Sequence, residues 1–130
     1  MVVHDGIEVR VVVNGEEAVE YDNQEAQGNA LLAQRRVTKY IESIDGAPFE
    51  IQCKIHPEFC FEGNAVCLET WIDGNLEVTK TAQQKDVHTI IMNGRLYFEQ
   101  RQLKLKKFKF STINIGMRKP NLPQYATLAY

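Results

Sequence analysis

The sequence predicts an all-β fold: an antiparallel β-sandwich of about eight strands, jelly-roll or immunoglobulin-like in form. Three observations carry this expectation. Apolar residues recur at every second position, the period of a strand with one buried face. Asn-Gly and Asp-Gly pairs, the preferred two-residue hairpin turns, separate many of these runs at intervals of about eight to twelve residues. No segment of about ten residues or more holds a helical period.

The elements follow in order. Ile7-Glu8-Val9-Arg10-Val11-Val12-Val13 alternates and ends at Asn14-Gly15, with a short return through Glu20-Tyr21. Residues 22–36 are polar, rich in Gln, Asn and Ala, and are expected to form a surface loop. Val37 to Glu42 resumes regular structure, closed by Asp45-Gly46. In the clearest strand, Phe49, Ile51, Cys53 and Ile55 alternate with Glu50, Gln52 and Lys54. Pro57 ends it, since proline cannot donate to a central ladder. Val66, Leu68, Thr70 and Ile72 lead into Asp73-Gly74, and Leu76 and Val78 return. Val87 to Met92 runs into Asn93-Gly94, with Leu96-Tyr97-Phe98 coming back. Leu103 to Phe110 and Thr112 to Ile115 complete the set. A single domain over residues 1–119 is expected, with 120–130, which holds Pro120 and Pro123, as an extended tail.

Several of these segments together resemble a fungal family of domains of unknown function. The resemblance rests on Ile7 to Val13 with Asn14-Gly15, Glu20-Tyr21-Asp22, and Val37-Thr38-Lys39-Tyr40-Ile41-Glu42. It continues through Gly46 with Phe49 and Ile51, then Pro57 with Phe59 and Phe61, then Trp71-Ile72-Asp73-Gly74, and ends at Lys107-Phe108-Lys109-Phe110-Ser111. It implies a fungal source and a β-sandwich, and it supplies no catalytic residues.

Composition narrows the function classes. At 130 residues the chain can bury one core without covalent staples, and 44% hydrophobic with 25% charged residues is globular rather than disordered. No apolar run approaches the ~20 residues of a membrane span, and Met1 to Gly6 lacks the basic and apolar regions of a secretory signal. Three cysteines, Cys53, Cys60 and Cys67, form no C-x-x-C pair, and an odd count argues against a disulfide framework. Reduced thiols and an intracellular setting, cytoplasm or nucleus, are therefore expected. A zinc site from Cys53, His56, Cys60 and Cys67 is disfavoured, because only Cys53-x-x-His56 has ligand spacing and alternation turns Cys53 inward. Neither metal nor cofactor is expected.

Catalytic motifs are missing from the sequence. The two serines, Ser43 and Ser111, lie in no G-x-S-x-G elbow, and no phosphate-cradling glycine loop occurs. Glu16-Glu17 reads as a solvated hairpin tip rather than a glycosidase pair. Cys60 and His88 form a dyad only if the fold joins them.

Charge carries the sharpest signal. Residues 1–100 hold 17 acidic and 8 basic side chains; residues 101–130 hold 7 basic and none acidic. Arg101, Lys104, Lys106, Lys107 and Lys109 concentrate this in one strand. Leu103 and Leu105 have one parity and Phe108 and Phe110 the other, so a β-bulge at Lys106-Lys107 is expected to keep all four on the core side. Lys104, Lys106 and Lys109 would then share a solvated face. Edge lysines can serve only to block aggregation. They can also dock an acidic protein surface, including the acidic part of a second copy in a head-to-tail contact. Nucleic acid is disfavoured by a net charge of −2. Trp71 lies out of phase with Val66, Leu68 and Ile72; core or rim packing is the default, and an exposed indole would mark a sugar- or peptide-binding surface. The expected function is a non-catalytic interaction module using the basic strand and Trp71. The alternatives are a lectin-like sandwich and an enzyme whose site is assembled from distant residues.

Overall fold

The structure, a computed structural model, describes residues 1–22, 36–85 and 89–111 and the backbone of 125–129. These residues are built from antiparallel strands without helix. The strands are β1 (Val2–His4), β2 (Ile7–Val13), β3 (Glu16–Glu17), β4 (Glu20–Asp22), β5 (Thr38–Glu42), β6 (Phe49–Ile55), β7 (Ala65–Ile72) and β8 (Asn75–Gln83). They continue with β9 (Thr89–Met92), β10 (Gly94–Glu99), β11 (Gln102–Lys107) and β12 (Tyr125–Ala129).

The central sheet has the order β1-β2-β6-β9, with β3 folding back on the end of β2. Its turns are set by Asp5-Gly6 and Asn14-Gly15, all four residues at positive φ, as a two-residue turn between right-twisted strands requires. Pairing aligns Val9 with Cys53, Val11 with Ile51 and Val13 with Phe49, and Ile51 with Met92. One face of the sheet is therefore apolar, while Arg10 and Gln52, and Glu8 and Lys54, pair on the other.

Two clusters cover the apolar face. Val11, Val13, Ile41 and Ala47 pack with Ala18, Phe49, Ile51 and Phe110, so the sheet β12-β5-β4 closes one end. Val9, Cys53 and Met92 pack with Leu68, Val78 and Ile90, so the β7–β8 hairpin closes the other. Thr70 enters this second region buried, its hydroxyl donating to Met92 Sδ at 2.9 Å. Burial of side chains such as Val11, Ile41 and Ile55 stabilises the fold by about 1.5–3 kcal/mol each.

Several expectations are corrected. About eight strands were expected; twelve, mostly short, lie among the described residues, in one five-stranded sheet and three smaller ones. The strands not expected are β1 and β3, both in the central sheet, and β12, within the expected tail. Asn93-Gly94 is not a hairpin turn: neither residue has positive φ, and β10 leaves β9 to pair with β11. Gly94 serves close approach instead, since a Cβ there would sit 2.4 Å from the Lys106 carbonyl oxygen. No bulge interrupts β11, whose register with β10 is continuous from Gln102 to Lys107. Leu103 and Leu105 are exposed, whereas Phe108 is buried. The change of parity is absorbed after Lys107, where the chain leaves β10 and joins Ala47 to Phe49 through Phe108 and Phe110.

Tyr125–Ala129, within the expected tail, pairs with β5 from Thr38 to Glu42. Of the expected polar loop, residues 23–35 lie outside the described residues, as does the expected strand Thr112 to Ile115.

Candidate functional site

The hairpin β10–β11 has two different faces. Leu96 pairs with Leu105 and Phe98 with Leu103, while Arg95 pairs with Lys106 and Tyr97 with Lys104. Partners directly opposite in an antiparallel pair lie on the same face, so one face is apolar and the other basic. The apolar face is uncovered: Phe98 is 78% exposed, and Leu96, Leu103 and Leu105 are also exposed. Its tip turns at Gln100 and Arg101, both at positive φ, without the glycine or asparagine such a turn favours.

The hairpin is held at its base. Phe108 N–H donates to the Asn93 carbonyl at 2.8 Å, Phe49 N–H to the Phe108 carbonyl at 3.0 Å, and Gly46 N–H to the Phe110 carbonyl at 2.8 Å. The rings of Phe108 and Phe110 stack on Phe49. Beside the base, an open groove of about 570 Å³ runs between the hairpin and β8, lined by Leu76, Val78, Leu96 and Leu105.

The expected site residues distribute over this region. Lys104 and Lys106 share the basic face, Arg101 occupies the tip, and Lys107 ends β11 opposite Gly94. Lys109 lies farther along, bridged to Pro48, and does not continue the hairpin face. Lys104 Nζ reaches Glu99 at 3.2 Å in an exposed contact of small energetic weight, and Arg95 comes within 4.0 Å of half-buried Glu77. No carboxylate among the described residues pairs with Arg101, Lys106, Lys107 or Lys109. Trp71 is exposed, its indole N–H donating to Glu69 Oε2 at 3.0 Å. Its cross-strand partner Leu76 lines the groove that the hairpin borders.

Reading the sequence alone missed the exposed apolar face and Arg95. The signal was present as alternation on both strands, but alternation defines two faces without saying which one is covered.

A family profile for a domain of unknown function, DUF7918, matches residues 6–126. The chain belongs to the DUF7918 family. Neither a curated protein nor a solved structure matches it at a significant level.

Elsewhere in this DUF7918 domain, polar groups pair with one another. His56 Nε2 lies 2.9 Å from the largely buried Glu8 carboxylate, and Arg10 stands 4.0 Å from the other oxygen. Burial pushes the Cys53 thiol up to about 11. Cys60 and Cys67 are exposed and line an open depression of about 800 Å³ with Phe59 and Phe61, whose rings meet edge to face at 4.8 Å. His88, disfavoured as a dyad partner for Cys60, lies outside the described residues. Among the described residues, no three His, Cys, Asp or Glu side chains converge to hold a metal, and no helix is long and apolar enough to cross a membrane.

Proposed function

We propose that this chain is a non-catalytic interaction module that binds an acidic protein surface through the β10–β11 hairpin. One observation carries the reading. The hairpin is anchored by buried Phe108 and by the stacking of Phe108 and Phe110 on Phe49, yet it presents exposed Leu96, Phe98, Leu103 and Leu105 on one face and Arg95, Lys104 and Lys106 on the other. An exposed apolar strip on one face, with cations on the other of which Lys106 has no carboxylate partner among the described residues, has the composition of an interface rather than of an idle surface. The two clusters on the central sheet support a two-layer, sandwich-type scaffold behind it. Two exposed free thiols, Cys60 and Cys67, support a reducing, intracellular setting.

The test is a pull-down with the wild-type chain and a Lys104→Glu/Lys106→Glu/Lys107→Glu/Lys109→Glu variant, repeated over increasing salt. Capture of an acidic protein should weaken with salt and disappear with the reversed strip. Capture unchanged by the reversal sinks the reading. Head-to-tail self-association is a special case, in which sedimentation of the wild type would depend on concentration and salt.

A second reading rests on Trp71. An exposed indole suits stacking on a sugar ring, and its cross-strand partner Leu76 lines the groove. A glycan-array signal abolished by Trp71→Ala would favour this lectin-like reading over the first.

A further inference from the structure

We infer that β11 receives an added strand: an extended partner segment that alternates acidic and apolar side chains and hydrogen-bonds along the free edge of Gln102–Lys107. This rests on the reading of the basic hairpin as the contact surface, and it specifies the partner's chemistry and mode of binding.

The edge itself is the first support. Among the described residues β11 pairs only with β10, whose other side borders the groove toward β8. An unpaired edge presents a row of backbone donors and acceptors, the template used when a peptide adds a strand to a sheet. At six residues this edge spans roughly 20 Å. It has a defined end, because after Lys107 the backbone bonds instead to Asn93, Phe49 and Ala47.

The side chains supply a code with period two. On an added strand, every second residue would extend the face of Leu103 and Leu105, already continued by Phe98 and Leu96. The residues between would stand beside Lys104 and Lys106. Apolar neighbours suit the first set and carboxylates the second, since opposite charges across a strand pair stabilise and like charges repel. The contact between Lys104 and Glu99 shows the pairing within the chain.

The same rule argues against a second copy. Antiparallel self-pairing of β11 that keeps leucines with leucines sets either Lys104 against Lys104 or Lys104 against Lys106. Both registers that use most of the strand bring lysines together, so an acidic foreign segment fits where a copy of this strand does not.

The experiment uses the full chain and a labelled peptide of about eight residues alternating valine and glutamate. Controls are a peptide of the same composition with the valines and glutamates in separate blocks, and two peptides N-methylated on one or the other alternate set of amides. The alternating peptide should bind at least about tenfold more tightly than the block peptide. One of the two N-methylation sets should weaken binding by about tenfold, because only one set faces the protein edge. A Lys104→Glu/Lys106→Glu variant, with its circular dichroism unchanged, should instead prefer the alternating valine–lysine peptide.

Equal binding of the block peptide, or no effect of either N-methylated set, overturns strand addition while leaving electrostatic docking by the basic strip intact. Absence of binding by any peptide up to about 1 mM overturns it as well. Loss of acidic-protein capture on charge reversal, measured separately, decides the underlying reading. Sedimentation with phosphatidylserine vesicles but not phosphatidylcholine vesicles, without peptide binding, would assign the hairpin to a membrane surface and overturn both.

Discussion

Phe49 and Phe108 are joined twice: the Phe49 N–H donates to the Phe108 carbonyl at 3.0 Å, and their rings stack with centroids 5.6 Å apart. Phe108 is also the point where the chain leaves the exposed hairpin and enters the core. Phe108→Ala should therefore lower stability by about 3–5 kcal/mol, the range for truncating a buried phenylalanine. Urea unfolding measures it. A loss within experimental error of Leu103→Ala, which removes an exposed side chain, would contradict the anchoring role.

Gly94→Ala tests the close crossing of β10 and β11. A Cβ at 2.4 Å from the Lys106 carbonyl oxygen forces the strands to shift, with a destabilisation of about 1–3 kcal/mol. Hydrogen exchange should quicken at Arg95–Glu99 and Gln102–Lys107 and stay slow in β2 and β6. Uniform quickening throughout would indicate that the hairpin and the core unfold together.

The tip holds Gln100 and Arg101 in the left-handed region, which is costly for residues with a Cβ. Replacing them by the favoured pair, Gln100→Asn with Arg101→Gly, should raise stability by about 1–2 kcal/mol. The midpoint of thermal unfolding reports the gain. A lowered midpoint would show that the native side chains contribute more than the strain removes.

Burial holds the Cys53 thiol near 11 against an ordinary 9.0. Because the unfolded chain releases this proton first, stability should fall as pH rises through the window from about 9 to 11. Cys53→Ala should flatten that part of the profile. Alkylation of the native chain near neutral pH should modify the exposed Cys60 and Cys67 and spare Cys53 until denaturant is added.

These residues also show what the sequence could and could not convey. Alternation in Ile7–Val13 and Phe49–Ile55 was legible because both strands lie in a sheet with one apolar face, so local pattern and tertiary burial agree. The same alternation in Leu103–Lys106 was read with its leucines inward, whereas the structure leaves them in solvent. Period two is identical in the two cases; what differs is whether another layer arrives, and that depends on distant chain. Glycine was ambiguous in the same way. Asp5-Gly6 turns a hairpin that went unread between Val2-Val3 and Ile7, while Gly94 was read as a turn although its role is contact. The basic strip was visible in composition alone, because charge segregation survives without knowledge of the fold.

The boundary between Lys107 and Phe108 has a consequence for how this protein can change. On one side, six positions contribute little to the core; on the other, Phe108 and Phe110 belong to it. Substitutions at the outer end of the first stretch, at Gln102 to Lys104, should combine nearly independently of those at Phe110, since sites more than about 7–10 Å apart without shared partners add. Relatives can therefore diverge in the exposed strand while inheriting one scaffold, and an engineer can rewrite the outer stretch as a replaceable cassette.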